Sequence, residues 1–457
     1  VPQAFVAVVA TALMSPIPSR TCAQHKVLIL VTQGLEDVAA KYLAVNGLAS
    51  SIEVLSQPRV PLGEAAIGKL LAHATPNREA LLRLQQAPVV QAVCAFVAAA
   101  EGLSHDGGWC DAARPDRASF APSGVLEEIA SLVGASTHWG TAIELLAASG
   151  VRDVSSFRAS CACSGRMHTF GSEDVMRAMG GGVVATEHSG VPAWRVDLYG
   201  YDVELFGTLC DGHFACGLLL GGEWRTTTNP RRRQYGLAPF TEAAARPYLR
   251  GSSSPWYMPR LRPSTALLLL LLADVRPGHD VLDPFGGSGT VAIEAAVHVP
   301  RVRAVSSDND RRTSSAAIAN MKLARISGLA PGAAIEARDW DATDLAALSE
   351  GSFDRIVADL PFGHRCRWDV EAELPLFLRE ARRVLRPGGK AVLLMPGYRR
   401  VSDLMETMDG MELNERRRVG IGGFGCWALT LGRQSPSSAV QATAASGASL
   451  EPEPSRD

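Results

Sequence analysis

The stretch VLDPFGGSGTVAIEAA, residues 281–296, constrains the fold more than any other. A short apolar run, which reads as a strand, ends on Asp283; three glycines follow within four residues; an alanine-rich helical pattern then begins. Strand, glycine turn and helix in that order imply a βα unit whose next strand runs parallel to the first. The pattern continues in both directions. RPSTALLLLLLADV precedes it as an apolar helix, and VRAVSSD (302–308) follows as a strand. RTSSAAIANMKLARISG reads as a helix and AIEARDWDA as the next strand region. FDRIVADLPF is a strand, LPLFLREARRVLRPGG a helix, KAVLLMP a strand, and RRVGIGGFGCWALTLGR late strands. Residues 263–432 therefore predict a mostly parallel sheet with helices on both faces, an α/β Rossmann-like architecture.

That domain is little more than a third of a 457-residue chain, leaving room for others. From Lys26, KVLILVTQGLEDVAAKYLAVNG predicts a buried strand and an amphipathic helix ending at Gly47. Residues 51–62 suggest further strand. EALLRLQQAPVVQAVCAFVAAAEG predicts a pair of helices interrupted at Pro88, and residues 104–124 a loop rich in Gly, Pro, Asp and Ser. GVLEEIASLVG and HWGTAIELLAASG read as helices. The texture changes at residue 157: a strand FRASCACSG, a helix SEDVMRAMGG with Ser172 as its expected N-cap, and strands around a hairpin to residue 222 make a compact α+β module. The boundaries expected are 25–156, 157–222, a connector 223–262, the α/β domain 263–432 and a low-complexity tail 433–457, too poor in apolar residues to fold.

The formal net charge of −2 rules out a uniformly basic nucleic-acid binder but not a local basic patch. Residues 225–262 of the connector are such a patch: Arg225, Arg231, Arg232, Arg233, Arg246, Arg250, Arg260 and Arg262 stand against Glu242 alone. Two readings stay open there, a solvated linker and a stripe that contacts phosphates. Nine scattered cysteines without a C-x-x-C pair suit buried thiols, not zinc or a disulfide framework. The leucine run 267–272 is too short to span a bilayer and reads as a buried helix. FVAVVATALM near Val1 fits either the apolar part of a targeting signal or a frayed terminus, so a cytoplasmic or nuclear location is expected with an organellar one left open.

In DPFGGSGT the glycines admit a ligand close to the backbone, and the helix start offers free N–H groups. Gly287-x-Gly289-x-x-Ala292 with Asp308 about 20 residues on also fits a dinucleotide fingerprint. Asp283 tips the balance: a carboxylate there pairs with an ammonium but repels a pyrophosphate. S-adenosylmethionine carries the ammonium and no phosphate. Phe285 and Thr290 flank the loop, Asp308 suits ribose hydroxyls, and Asp341, with Asp339 as a weaker candidate, suits an adenine amino group. Then comes ADLPFG. Asp359 falls at the carboxyl end of a strand, where ligands of open parallel sheets gather. Methylating an exocyclic base nitrogen requires its conjugated lone pair to be redirected. Asp359 and nearby carbonyls at Leu360 and Pro361 would accept the amino protons, and Phe362 would stack on the base.

Four stretches resemble one family, the THUMP-domain RNA (tRNA) guanine-N2 methyltransferases, in the eukaryotic branch that uses D-x-P-F-G. They are FRASCACSGRMHTFGSEDVMRAMGG with WRVDLYGYDVELF, the run from Arg260 through DPFGGSGTVAIEAA, ADLPFG, and VGIGGFGCWALTLGR. The resemblance implies a ferredoxin-like N-terminal region (25–156), a THUMP core (157–222) and a class I methyltransferase domain (263–432). It implies methyl transfer from S-adenosylmethionine to N2 of a guanosine, most often in tRNA, and a small zinc-containing activator subunit as partner, with no membrane. Catalytic roles fall on Asp359, Pro361 and Phe362; donor binding on Asp283, Phe285, Gly287, Gly289, Thr290, Asp308 and Asp341. RNA contact is expected at Arg231, Arg232, Arg233, Arg260, Arg262 and Arg365, while His364 and Arg365 equally suit an ordinary surface loop. The alternatives carried forward are a small nuclear RNA substrate, an adenine-N6 or cytosine-N4 acceptor, a non-catalytic RNA-binding scaffold and an NAD enzyme.

Overall fold

A computed structural model describes residues 25–55, 67–103, 124–165, 170–185, 193–222, 261–361, 368–396, 401–403, 410–421 and 424–434. The chain forms two compact units. The first takes the chain as far as Arg250 together with Arg418–Cys426, and the second takes the rest from Gly251.

In the first unit, β1 (His25–Thr32), β2 (Ser50–Val54), β3 (Ile67–Ala74), β4 (Ala92–Ala100), β5 (Ser156–Ser164), β6 (Arg195–Val196), β7 (Val203–Cys210) and β8 (His213–Gly222) share one sheet. Their order is β2-β3-β1-β4-β8-β7-β5-β6. Strands from before and after residue 157 thus join one sheet, through the antiparallel pairing of β4 with β8. Leu28, Leu30, Phe96, Phe206 and Leu219 pack one of its cores. Asp211 and Gly212, both at positive φ, turn the β7–β8 hairpin, as two-residue loops require.

Two sequence expectations are corrected here. AVCAFVAAA is not the second helix of a pair but strand β4, because it lies between β1 and β8 with Ala92–Ala98 all buried. An apolar run of nine residues has no polar face to reveal its period, and its alanines favour a helix in isolation. Ser172 is not the N-cap of the helix Ser172–Val184; that place belongs to Gly171, whose N–H donates to the Asp174 carboxylate at 3.0 Å.

A second sheet holds β9 (Asp280–Asp283), β10 (Arg303–Ser307), β11 (Ala334–Arg338), β12 (Phe353–Asp359), β13 (Leu385–Met395), β14 (Met411–Ile421) and β15 (Phe424–Arg433). The order is β11-β10-β9-β12-β13-β15-β14. The first five run parallel, and β15 pairs antiparallel with β13. After helices α1 (Glu36–Val45), α2 (Arg78–Gln85), α3 (Gly124–Gly134), α4 (Trp139–Ala148), α5 (Ser172–Val184) and α6 (Pro263–Leu272), helices α7 (Thr290–His298), α8 (Arg311–Ser327) and α9 (Val370–Val384) make the crossovers. Helix α6 is buried along Pro263–Leu270, as its run of leucines demands. Chain progression reverses between β9 and β12, so a crevice opens beyond their carboxyl ends. The sequence predicted α9 to run on through RPGG; instead it stops at Val384 and Leu385 is already extended. Pro387 disfavours helical backbone at Arg386.

Candidate active site

Asp283 is the last residue of β9 and Asp359 the last of β12, the strand beside it. Asp283 is 3% exposed, and among the described residues its Oδ1 accepts only a long bond, 3.3 Å, from the Phe285 N–H. Burial raises its carboxyl well above the usual range, and the negative charges of Asp359 and Asp308 push it the same way. Burial alone pushes Asp359 up to about 7. Its Oδ1 is shut off from solvent and has no partner among the described residues. A buried carboxylate oxygen with no donor beside it costs stability, which marks Asp359 Oδ1 for a ligand's donor.

The glycine loop explains itself residue by residue. The Gly286 N–H donates to Ser307 O at 2.8 Å, so the chain doubles back over β10. A Cβ on Gly286 would fall 1.9 Å from Ser306 Oγ, so no side chain fits without displacement. Gly287 and Gly289 adopt φ of 51° and 85°, the left-handed region that other residues resist. Gly289 is the N-cap of α7, with Thr290 its buried first residue. The Gly287 N–H donates to Asp308 Oδ2 at 3.0 Å, tying the loop to the end of β10. Asn320 of α8 steadies it from the other side by donating to Ser288 O at 3.0 Å.

Asp341 lies three residues past the end of β11, not on the strand as the sequence suggested. Its Oδ1 accepts from the Thr343 N–H and hydroxyl at 2.8 and 2.7 Å, and its Oδ2 from Asn309 at 3.2 Å. Burial pushes this carboxyl up, but those bonds outweigh it and hold it below its ordinary value. Asp339 follows β11 directly. Phe285 stands edge-on to Trp368 and Phe377, with ring centroids 5.5 and 5.0 Å away, and so fastens the loop to α9. Leu360 is buried in the core with its N–H committed to Leu394 O, leaving its own carbonyl and Pro361 at the strand exit.

Asp283, Asp308 and Asp359 are therefore brought together, with the glycine loop tied to Asp308. Phe362, His364 and Arg365 lie outside the described residues, as do Arg231, Arg232, Arg233 and Arg260. Arg262 is half-buried at the N-cap position of the helix that begins with Pro263. Gly286, Ser306, Asn309, Asn320 and Trp368 were missed from sequence. For Gly286 the signal was present, since it is the first of three glycines. The others act through contacts across the sheet that no local pattern announces.

A seven-stranded sheet of this order, with a carboxylate ending its first strand, a glycine loop after it and D-L-P at the end of the fourth, defines a class I methyltransferase domain. Residues 256–425 match the family described as UPF0020, RMKL-like methyltransferase domain. The chain is similar to THUMP-named RNA guanine-N2 methyltransferases. It is 30% identical over 254 residues to the tRNA (guanine(6)-N(2))-methyltransferase THUMP3 of Bos taurus, covering 53% of this chain and 44% of that protein. It is equally similar, 30% over 254 residues (55% of this chain, 43% of the relative), to the U6 snRNA (guanine-N(2))-methyltransferase THUMPD2 of Homo sapiens. The chain thus spans less than half the length of these curated relatives. Among solved structures, TrmN from Thermus thermophilus superposes with a TM-score of 0.54 at 24% identity, covering 89% of this chain and 99% of that one. SMU.472, a methyltransferase fold complexed with SAH, gives 0.53 at 13% identity, covering 89% and 97%. Among the described residues no helix is long and apolar enough to cross a membrane.

Proposed function

We propose that the chain is an S-adenosylmethionine-dependent RNA methyltransferase that modifies N2 of a guanosine, with tRNA as the substrate. The observation that carries this reading is Asp359: a carboxylate at the end of β12 whose Oδ1 lacks a partner, beside Asp283 and the glycine loop. When bound, S-adenosylmethionine supplies an electrophilic methyl group on a sulfonium. The residues present fit it: Asp283 would accept its ammonium, Asp308 its ribose hydroxyls, and Asp341 its adenine amino group, over a loop with no room for side chains at Gly286. Phe285 holds that loop to α9, and Gly287, Gly289 and Thr290 open the helix against it.

Asp359 would accept one hydrogen of the guanine amine, and a backbone carbonyl of Leu360 or Pro361 the other. Both hydrogens drawn to one side turn the nitrogen lone pair out of conjugation and toward the methyl group. Phe362 would hold the base by stacking. As the nitrogen becomes positive, the Asp359 carboxylate stabilises it and takes the proton that it sheds.

Residues 25–156 are read as the ferredoxin-like region and 157–222 as the THUMP core, with 223–262 a basic connector, 263–432 the catalytic domain and 433–457 a tail. With the connector arginines and Arg365, these would grip the RNA. The curated relatives named for tRNA and for U6 snRNA share the guanine-N2 chemistry, which is why the base is proposed with more support than the RNA. The test is methyl transfer to total small RNA from a labelled donor, with and without a zinc-containing activator subunit. Mass spectrometry of digested nucleosides should find N2-methylguanosine in the tRNA fraction, absent with Asp359→Ala. Label confined to the small nuclear RNA fraction would change the substrate; label on adenine or cytosine would overturn the base.

A further inference from the structure

Asp283 and Asp359 end adjacent parallel strands, and among the described residues neither makes an ion pair with a lysine, arginine or histidine. Among the described residues the charged groups facing Asp283 are Asp359 and Asp308, the residue that follows β10. On its other side β12 meets β13, where the residue paired with Asp359 is Leu394. Asp283 has a single long backbone bond, and Asp359 has an oxygen with none. Three carboxyls gathered at these strand ends, Asp283 buried and Asp308 and Asp359 half-buried, resist being ionised together without a cation among them.

Given the sulfonium donor proposed for this site, two cations arrive in one molecule. One is the ammonium suited to Asp283. The other must come within near-attack distance of the amine that Asp359 holds, because the methyl group passes from that sulfur to that nitrogen. We propose that Asp283 and Asp359 take up the donor by proton exchange: Asp283 releases a proton as it accepts the ammonium, and Asp359 releases one as the sulfonium comes beside it.

The exchange closes with the reaction. The C–S bond breaks with its electron pair left on sulfur, which becomes a neutral thioether, and the C–N bond forms. The proton from nitrogen goes to Asp359, which no longer faces a cation. The ionised carboxylate that draws the amine hydrogens is therefore formed in full only once the donor is seated, so the donor binds before the base. Burial, which raises both carboxyls in the free protein, supports this order of events.

The by-product separates the two protons, since S-adenosylhomocysteine keeps the ammonium and lacks the sulfonium. Calorimetric titration of the full chain at pH 7, without RNA, in buffers of different ionisation enthalpy reads the protons released. Both ligands should release protons, and S-adenosylmethionine about half a proton more, the fraction expected of a carboxyl titrating near pH 7. Asp359→Asn should leave both ligands bound and erase the difference. Equal release by the two ligands in the unaltered protein, or a difference that survives Asp359→Asn, overturns the proposal. Binding of neither ligand by folded protein would instead overturn the donor reading of the site, and the exchange with it.

Discussion

At the scale of single residues, Asp359 is kept at a cost. Its carboxyl ordinarily ionises near 3.8, and burial moves it to about 7 in the folded protein. The folded state therefore binds the proton more tightly than the unfolded chain. The stability this lends is complete below the unfolded value and is lost as pH rises through 7. Asp359→Asn, which keeps the shape and removes the charge, should leave stability unchanged near pH 4 and raise the melting temperature at pH 8. At about 1–3 kcal/mol for relieving an unpaired buried charge, the gain is measurable by differential scanning calorimetry. The same variant should lose methyl transfer by roughly 100-fold or more, the scale of a lost preorganised electrostatic contact. In the unaltered protein kcat/KM for the donor, which reports the free protein, should rise with pH through about 7. A variant that is inactive but no more stable at pH 8 would mean that Asp359 is not desolvated as described.

At the scale of elements, the ends of the sheet are built for different tasks. The carboxyl ends of β9 and β12 hold acids with no ion-pair partner among the described residues, whereas their amino ends are stitched by compensated charge. Asp280 opens β9 and accepts from Arg303 at 2.7 Å and from Arg386 at 2.8 Å; Arg303 reaches Glu336 of β11 at 3.0 Å, and Arg386 also pairs with Asp354 of β12. Asp280→Ala should lower stability by about 1–2 kcal/mol, a modest figure because these groups are partly solvated, while donor affinity measured by calorimetry stays unchanged. A fall in donor affinity would mean that the two ends are coupled. These elements were legible in the sequence because βα units carry their own punctuation: an apolar run, a glycine turn, a helical period. Where that failed, a partner distant in sequence decided. The apolar residues of β4 became a strand only because β1 and β8 flank them. At the end of α9, Arg433 of β15 takes the carbonyls of Arg382 and Arg383 at 3.0 and 3.1 Å. Asp283, Asp308 and Asp359 were readable because each falls at or directly after the end of a strand. Ser306 and Asn320 were not, since their roles exist only once β10 and α8 lie against the loop.

At the scale of the whole molecule, charge has to be local to serve an RNA. A net charge of −2 gives no general attraction for phosphate, so affinity must come from clusters. The connector between residues 225 and 262 concentrates eight arginines against one glutamate. Each arginine that neutralises a phosphate displaces condensed counterions, and affinity then falls with salt by a power close to the number of contacts. Replacing Arg231, Arg232 and Arg233 together by glutamine should weaken RNA binding and reduce the slope of log affinity against log salt by about 2–3. Donor binding, which needs only the second unit's crevice, should be untouched in the same protein. A reduced affinity with an unchanged slope would mean that the arginines shape the connector without meeting phosphate. An unchanged affinity and slope would make the stretch a solvated linker and move the search for the RNA grip to residues 157–222.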